Sequence, residues 1–301
     1  EVQSGSQLTA KSSSGTDGEI KITAEDKTLT ADFSIIGITK NAASITLDDV
    51  TIDGGTVSSS ATGKELTLAD AVPKWASKQV LAPVGTLAID ALLGQIPIPA
   101  SVMIRNSEAT VDITGSSTIT SSGDVSITTD ATSDSSSRAI SVKTHGVGGV
   151  VGFLNSISVA YSQGTAISKI NLTGNSSETV SITAAGNVDI KSNVKNTAVA
   201  KARTSGNISV TAPADPKAIG GSVAVYTTKS TVESILNQYT TVDSGGNVNV
   251  HALAETKNEA NASVAIYVDG LGSLGLALGF EDLDITASAD GRITAAGTET
   301  S

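Results

Sequence analysis

Short runs of alternating apolar and polar residues recur along this chain, and five of them open in nearly the same way. They are Gly18-Glu19-Ile20-Lys21-Ile22-Thr23, Gly123-Asp124-Val125-Ser126-Ile127-Thr128, Gly186-Asn187-Val188-Asp189-Ile190-Lys191, Gly206-Asn207-Ile208-Ser209-Val210-Thr211 and Gly246-Asn247-Val248-Asn249-Val250-His251. Glycine before a short polar residue is turn chemistry, and a period of two is a strand with one buried face. The tags start 105, 63, 20 and 40 residues apart. Each gap is near a multiple of about 20, the period range of stacked coils. The tag therefore predicts one corner of each coil, its strand pairing with the tags above and below.

The rest of the pattern fills in that picture. Residues 1–70 hold closely spaced short strands, and Ala109 to Thr128 reads as one full turn of three. Ser158-Val159-Ala160-Tyr161, Ser222-Val223-Ala224-Val225-Tyr226 and Ser263-Val264-Ala265-Ile266-Tyr267 read as versions of one strand. With about 14 coils at roughly 4.8 Å each, the rod would be some 65–70 Å long. Val, Ile, Leu and Ala are expected inside, and Ser, Thr and Asn outside. The Gly-rich stretches Gly146 to Leu154 and Gly270 to Phe280 are expected to let neighbouring backbones approach closely.

One stretch breaks the alternation. Asp70 can cap a helix carrying Val72, Trp75, Ala76, Val80 and Leu81 at three- to four-residue spacing. Pro83 interrupts it, and Val84, Leu87, Ala88, Ala91 and Leu92 run on to Gly94, before Pro97 and Pro99 hold the chain extended. This predicts a helical insertion near 70–94, within a helical or extended segment 70–99 packed on the flank and anchored by Trp75. The whole is then an all-β chain forming a single elongated β-solenoid over 1–301, with a two-sheet β-sandwich as the alternative.

Composition narrows the partners. The chain has 30 acidic against 19 basic residues, a formal charge of −11, which disfavours a nucleic-acid partner. No apolar run reaches 18 residues, so no spanning helix and no membrane insertion is expected. Cysteine is absent, which suits an exported bacterial protein that folds after crossing membranes. Glu1-Val2-Gln3-Ser4 reads as a cut in a longer chain.

No catalytic constellation is visible. His145 and His251 are the only histidines, each in repeat-type sequence. Asp48, Asp49 and Asp53 lie within six residues, and Glu281, Asp282 and Asp284 within four. Calcium is the ion such oxygen-rich clusters would take, although the glycine-rich calcium repeat is absent. No other cofactor is expected. Aromatics are 3% of the chain, few for stacking sugar rings. Asn171, Asn175, Asn207 and Asn261 begin Asn-x-Ser/Thr triplets, which a Ser/Thr-rich repeat produces by chance.

The Ala109–Thr128 turn and the module running from Ser-Val-Ala-Val-Tyr to Gly-Asn-Val-Asn-Val-His resemble the large repetitive adhesins of Gram-negative bacteria: filamentous-haemagglutinin-like and leukotoxin-like exoproteins and autotransporter passengers. The resemblance is best over residues 100–297. It implies a right-handed parallel β-helix, extracellular or at the cell surface, that is not an enzyme and acts in attachment, cell aggregation or biofilm scaffolding. Its partners would be neighbouring modules of the same longer chain, copies of itself, and host or bacterial surface components. A self-assembling extracellular fibre or surface-layer subunit is the alternative, and a polysaccharide-active β-helix enzyme a further one.

Overall fold

A computed structural model describes residues 5–11, 17–29, 36–66, 100–143, 152–171, 176–207, 218–267 and 272–296. Among them the chain is all strand. The first turn of the stack is β1 (Gln7–Thr9), β2 (Glu19–Leu29) and β3 (Ile36–Asp48), and the second β4 (Thr51–Gly54), β5 (Thr56–Leu66) and β6 (Ala100–Thr114). The third is β7 (Thr118–Ser121), β8 (Val125–Lys143) and β9 (Gly152–Ile170). The fourth is β10 (Val180–Ala184), β11 (Val188–Asn207) and β12 (Ala218–Leu236), and the fifth β13 (Thr240–Ser244), β14 (Val248–Tyr267) and β15 (Gly272–Ala289). A last strand, β16 (Arg292–Ala295), starts another turn.

Every third strand stacks in parallel. The sheets are β1-β4-β7-β10-β13-β16, β2-β5-β8-β11-β14 and β3-β6-β9-β12-β15. This is a parallel β-solenoid, as the alternating pattern predicted. The size of its turn was not predicted. Thr51 pairs with Thr118, Thr118 with Ser181, and Thr241 with Ser181, so successive turns span 67, 63 and 60 residues. A turn contains one strand of three to five residues and two that reach 18 to 20. At roughly 3.3 Å per residue the long strands run about 60 Å, while the stack is only about 24 Å tall. The expected long axis is the short one. The helical insertion predicted for 70–94, with Trp75, lies outside the described residues.

Four of the five tags stand where the corner was expected. Gly18, Gly123, Gly186 and Gly246 each precede a strand of the second sheet, and the 60- to 63-residue spacing is one whole turn. The corner is a ladder. The carboxylate Oδ1 of Asp124 accepts the Asn187 N–H at 2.7 Å, and the Asn187 Oδ1 accepts the Asn247 N–H at 2.9 Å. The glycine before each asparagine leaves room for that side chain. A Cβ on Gly186 would lie 2.1 Å from Asp124 Oδ1, and one on Gly246 2.4 Å from Asn187 Oδ1. Of the fifth tag, Gly206 and Asn207 end β11, paired with Ile266 and Tyr267, and residues 208–211 lie outside the described residues.

The interior changes along the long strands. Where all three sheets meet, the space is wide and aliphatic, filled by Leu47, Ile52, Ile113, Ile119, Ile170, Ile182, Ile190 and Leu236. Each such side chain contributes about 1.5–3 kcal/mol by leaving water. Beyond the short sheet's reach only two sheets face each other, and the filling shrinks to Ala160, Ala198, Ala200, Ala202 and Ala224 among buried serines. Hydroxyls cross-link the two sheets: Ser158 Oγ donates to Ser137 O at 2.8 Å, Ser162 to Ser133 O at 3.0 Å, and Ser135 to Met103 O at 3.0 Å. Asn196 Nδ2 donates to Lys229 O at 2.7 Å. Closely facing sheets favour small side chains, and most buried hydroxyls there find a partner on the opposite backbone or on another hydroxyl.

This corrects the expected sorting of residues. Serine, threonine and asparagine fill much of the interior, while Val102, Ile104, Val159 and Val225 alternate with buried neighbours and so point outward from the third sheet. The three Ser-Val-Ala strands are also not versions of one strand. In β9 and β12 they are slipped by two residues, Ala224 pairing with Ser158, and Ser263-Val264-Ala265 belongs to β14 of the other sheet. The expectation for the Gly-rich stretches holds at β15: a Cβ on Gly279 would collide with the Tyr226 ring at 2.1 Å, and one on Gly275 would lie 2.8 Å from Ala262 O.

Candidate functional site

The fold keeps Asp48 and Asp49 side by side but sends Asp53 to the short sheet, and turns Glu281 away from Asp282 and Asp284. Asp48 ends β3 and accepts the Thr114 hydroxyl of the next turn at 3.0 Å; Asp49, at φ 49°, accepts the Ser116 N–H at 2.7 Å. Both carboxylates cradle Gly115, whose φ of 66° and lack of Cβ permit the approach. Asp53 sits on the short sheet, in an ion pair with Lys11 at 2.8 Å. On β15, Glu281 points inward and accepts the Thr256 hydroxyl at 2.7 Å. Asp282 and Asp284 point to the opposite face, Asp282 toward Lys229 at 3.5 Å. Among the described residues no three His, Asp or Glu side chains converge as metal ligands do. Differential scanning of the chain with 5 mM calcium against chelator is accordingly expected to give melting points that agree within about 1 °C.

His251 stands exposed on β14, where its backbone carbonyl accepts the Ser234 hydroxyl at 2.6 Å; His145 lies outside the described residues. Reading the sequence also missed two groups. Arg105, 1% exposed, points into the interior and donates to Thr39. Asn171, matched only as a glycosylation triplet, is fully buried at φ 59°; its amide donates to Glu178 O and Gln238 O, each at 3.1 Å. Inward-facing parity along β6 could have found Arg105 once the strand's register was known.

The outer faces of the long sheets carry ladders of charge and amide. On the second sheet Asp130 accepts from Asn193 and Asp189 from Asn249, each at 2.7 Å, while Lys195–Glu255 and Lys201–Glu259 pair at 3.3 and 3.1 Å. A shallow recess of about 390 Å³ near its far end is lined by Arg138, Lys201, Arg203, Ser136, Asn261 and Ser263, among others. On the third sheet burial pushes the Asp112 carboxyl above the usual range, against the pull of Lys169. A raised folded-state value means that stability is greatest below the ordinary carboxylate range and falls as pH climbs through the folded value. Asp112→Asn is therefore expected to raise the urea midpoint at pH 7 slightly, and to leave it unchanged at pH 3.

On the last turn Leu283 and Ile285 face inward, in the columns of Ser230 and Val232, yet are 50% and 45% exposed. The first turn presents Ile20 and Ile22, which lie in the same columns as Val248 and Val250 of the last. An in-register parallel solenoid is thus the class that this fold defines. Compared with known protein families, characterised proteins and solved structures, the chain matches none.

Proposed function

We propose that this chain is a structural and adhesive segment of a secreted or cell-surface exoprotein, a non-enzymatic module acting in attachment, cell aggregation or biofilm scaffolding. The breadth of the parallel sheets carries this reading, since two of them present strands of up to 20 residues side by side. The broad outer faces, rather than a cleft, are what such a module offers to other surfaces. Freedom from cysteine agrees with export to the cell exterior.

Beads coated covalently with the full chain test it. They are expected to bind cultured cells or biofilm matrix well above albumin-coated beads, and binding no better than albumin on any surface overturns the reading. A second reading, a self-assembling extracellular fibre, is favoured by the match between first and last columns, which would let one copy stack on another. Electron microscopy at micromolar concentration separates the two. Unbranched filaments growing with concentration favour the fibre, and single particles the module.

A further inference from the structure

In a strand with one face in a core, the other face is ordinarily polar. The half of the third sheet nearer the short sheet mostly obeys this rule, with Ile167 and Ile235 as outward apolar residues. Its outward column Lys40–Asn106–Gln163–Lys229–Asp282 is wholly polar, and ion pairs cross its strands: Lys229–Asp282 at 3.5 Å, Lys40–Glu108 at 3.8 Å and Lys169–Glu233 at 2.6 Å. The half farther from the short sheet breaks the rule. The column Ile36–Val102–Val159–Val225–Leu278 is apolar on all five strands and points outward. The adjacent column, Ile38–Ile104–Tyr161–Thr227–Phe280, is interrupted only by Thr227, and its ends Ile38 and Phe280 are 70% and 57% exposed.

The face is continuous and sizeable. With Ala100–Ile157–Val223–Leu276 on four strands as a third outward column, fourteen positions of about 4.8 by 6.8 Å each give roughly 460 Å². A patch of that size on a monomer marks an interaction surface. We infer that this apolar half-face pairs with the same face of a second copy of the chain. Two such faces together bury about 900 Å², the size of a weak, reversible interface. The rim supports an identical partner over a lipid surface. Its described charges, Lys40, Glu108, Lys229 and Asp282, are of both signs and paired with one another, and a chain of −11 is repelled by an anionic bilayer. A two-fold axis sets apolar columns against apolar columns and a mixed-sign rim against itself.

The inference stands apart from the adhesive reading, since it concerns only what the full chain does in solution. Sedimentation velocity from 1 to 100 μM should show the mass rising from 30.1 kDa and levelling at twice that value, equally in 0.15 and 0.5 M salt. Ile38→Lys combined with Phe280→Lys, both at exposed positions, should weaken the dimer at least tenfold with an unchanged melting point. Lys191→Glu, on the other sheet's outer face, should leave it intact. A monomer at 100 μM overturns the proposal, and so does a dimer that the double variant does not weaken, or open-ended growth that it does not alter. Two monomer results would reassign the face. Binding to neutral vesicles, lost in the double variant, gives it to lipid. A shift in emission of Trp75, the only tryptophan, in that variant gives it to the chain's own 67–99 stretch.

Discussion

Gly63→Val is expected to destabilise the fold by about 3 kcal/mol, among the largest losses that a single small-to-large change produces. Gly63 is buried in β5, facing β6. A Cβ there would lie 2.4 Å from the Glu108 carbonyl oxygen and 3.1 Å from its carbon. These are backbone atoms of the opposite sheet, and Ser107 Oγ ties the two strands together by donating to Gly63 O at 2.7 Å. No rotamer change relieves the clash; the sheets must separate, breaking that bond and loosening the serine-rich zone around it. Gly221→Ala is the control. The added carbon there meets the side-chain oxygen of Asn155 at 3.0 Å, which can swing away. Urea denaturation of both variants should give a large loss for the first and less than about 0.5 kcal/mol for the second.

Ile182→Ala is expected to cost about 2–5 kcal/mol, the range for emptying a packed aliphatic position. Ile182 is fully buried on β10 in the middle of the stack, where all three sheets enclose it. Ile293 occupies the same column on β16, through Val242, and is 36% exposed. Truncating it should cost under about 1 kcal/mol, because water already reaches the site. Equal costs at dilute concentration would mean that something covers the last turn in solution.

The alternating runs and the Gly-polar corners made the stacked parallel architecture legible before any coordinates. Turn chemistry is local, so Gly123-Asp124 and Gly186-Asn187 could be recognised as corners from two residues each. The perimeter was not legible. A 63-residue spacing is one turn of 63 or three of 21, and the alternation continues unbroken through both long strands, so no signal marks where a turn closes. The inversion of the far interior was hidden for a related reason. In Ser222-Val223-Ala224-Val225 the period of two shows two faces but does not say which is inside, and apolar valine was assigned inward by habit of burial. The closeness of the sheets decides otherwise, because small residues, chiefly Ser and Ala, fill most of that space. The paired aspartates looked like ligands because sequence proximity cannot show that Glu281 and Asp282 point to opposite sides of one strand, nor that Asp48 and Asp49 are occupied by the next turn.

The wide turn fixes how such a protein scales. A coil of about 20 residues lengthens its rod by roughly 4.8 Å, about four residues per ångström. Here some 60 residues deliver the same 4.8 Å, about thirteen per ångström, and the surplus goes sideways into two facing walls about 60 Å broad. Adding turns to this chain makes a panel whose walls expand much faster than its reach. A substitution repeated at one position in each turn would draw a straight line of identical groups about 4.8 Å apart across that panel, a geometry suited to displaying ordered arrays.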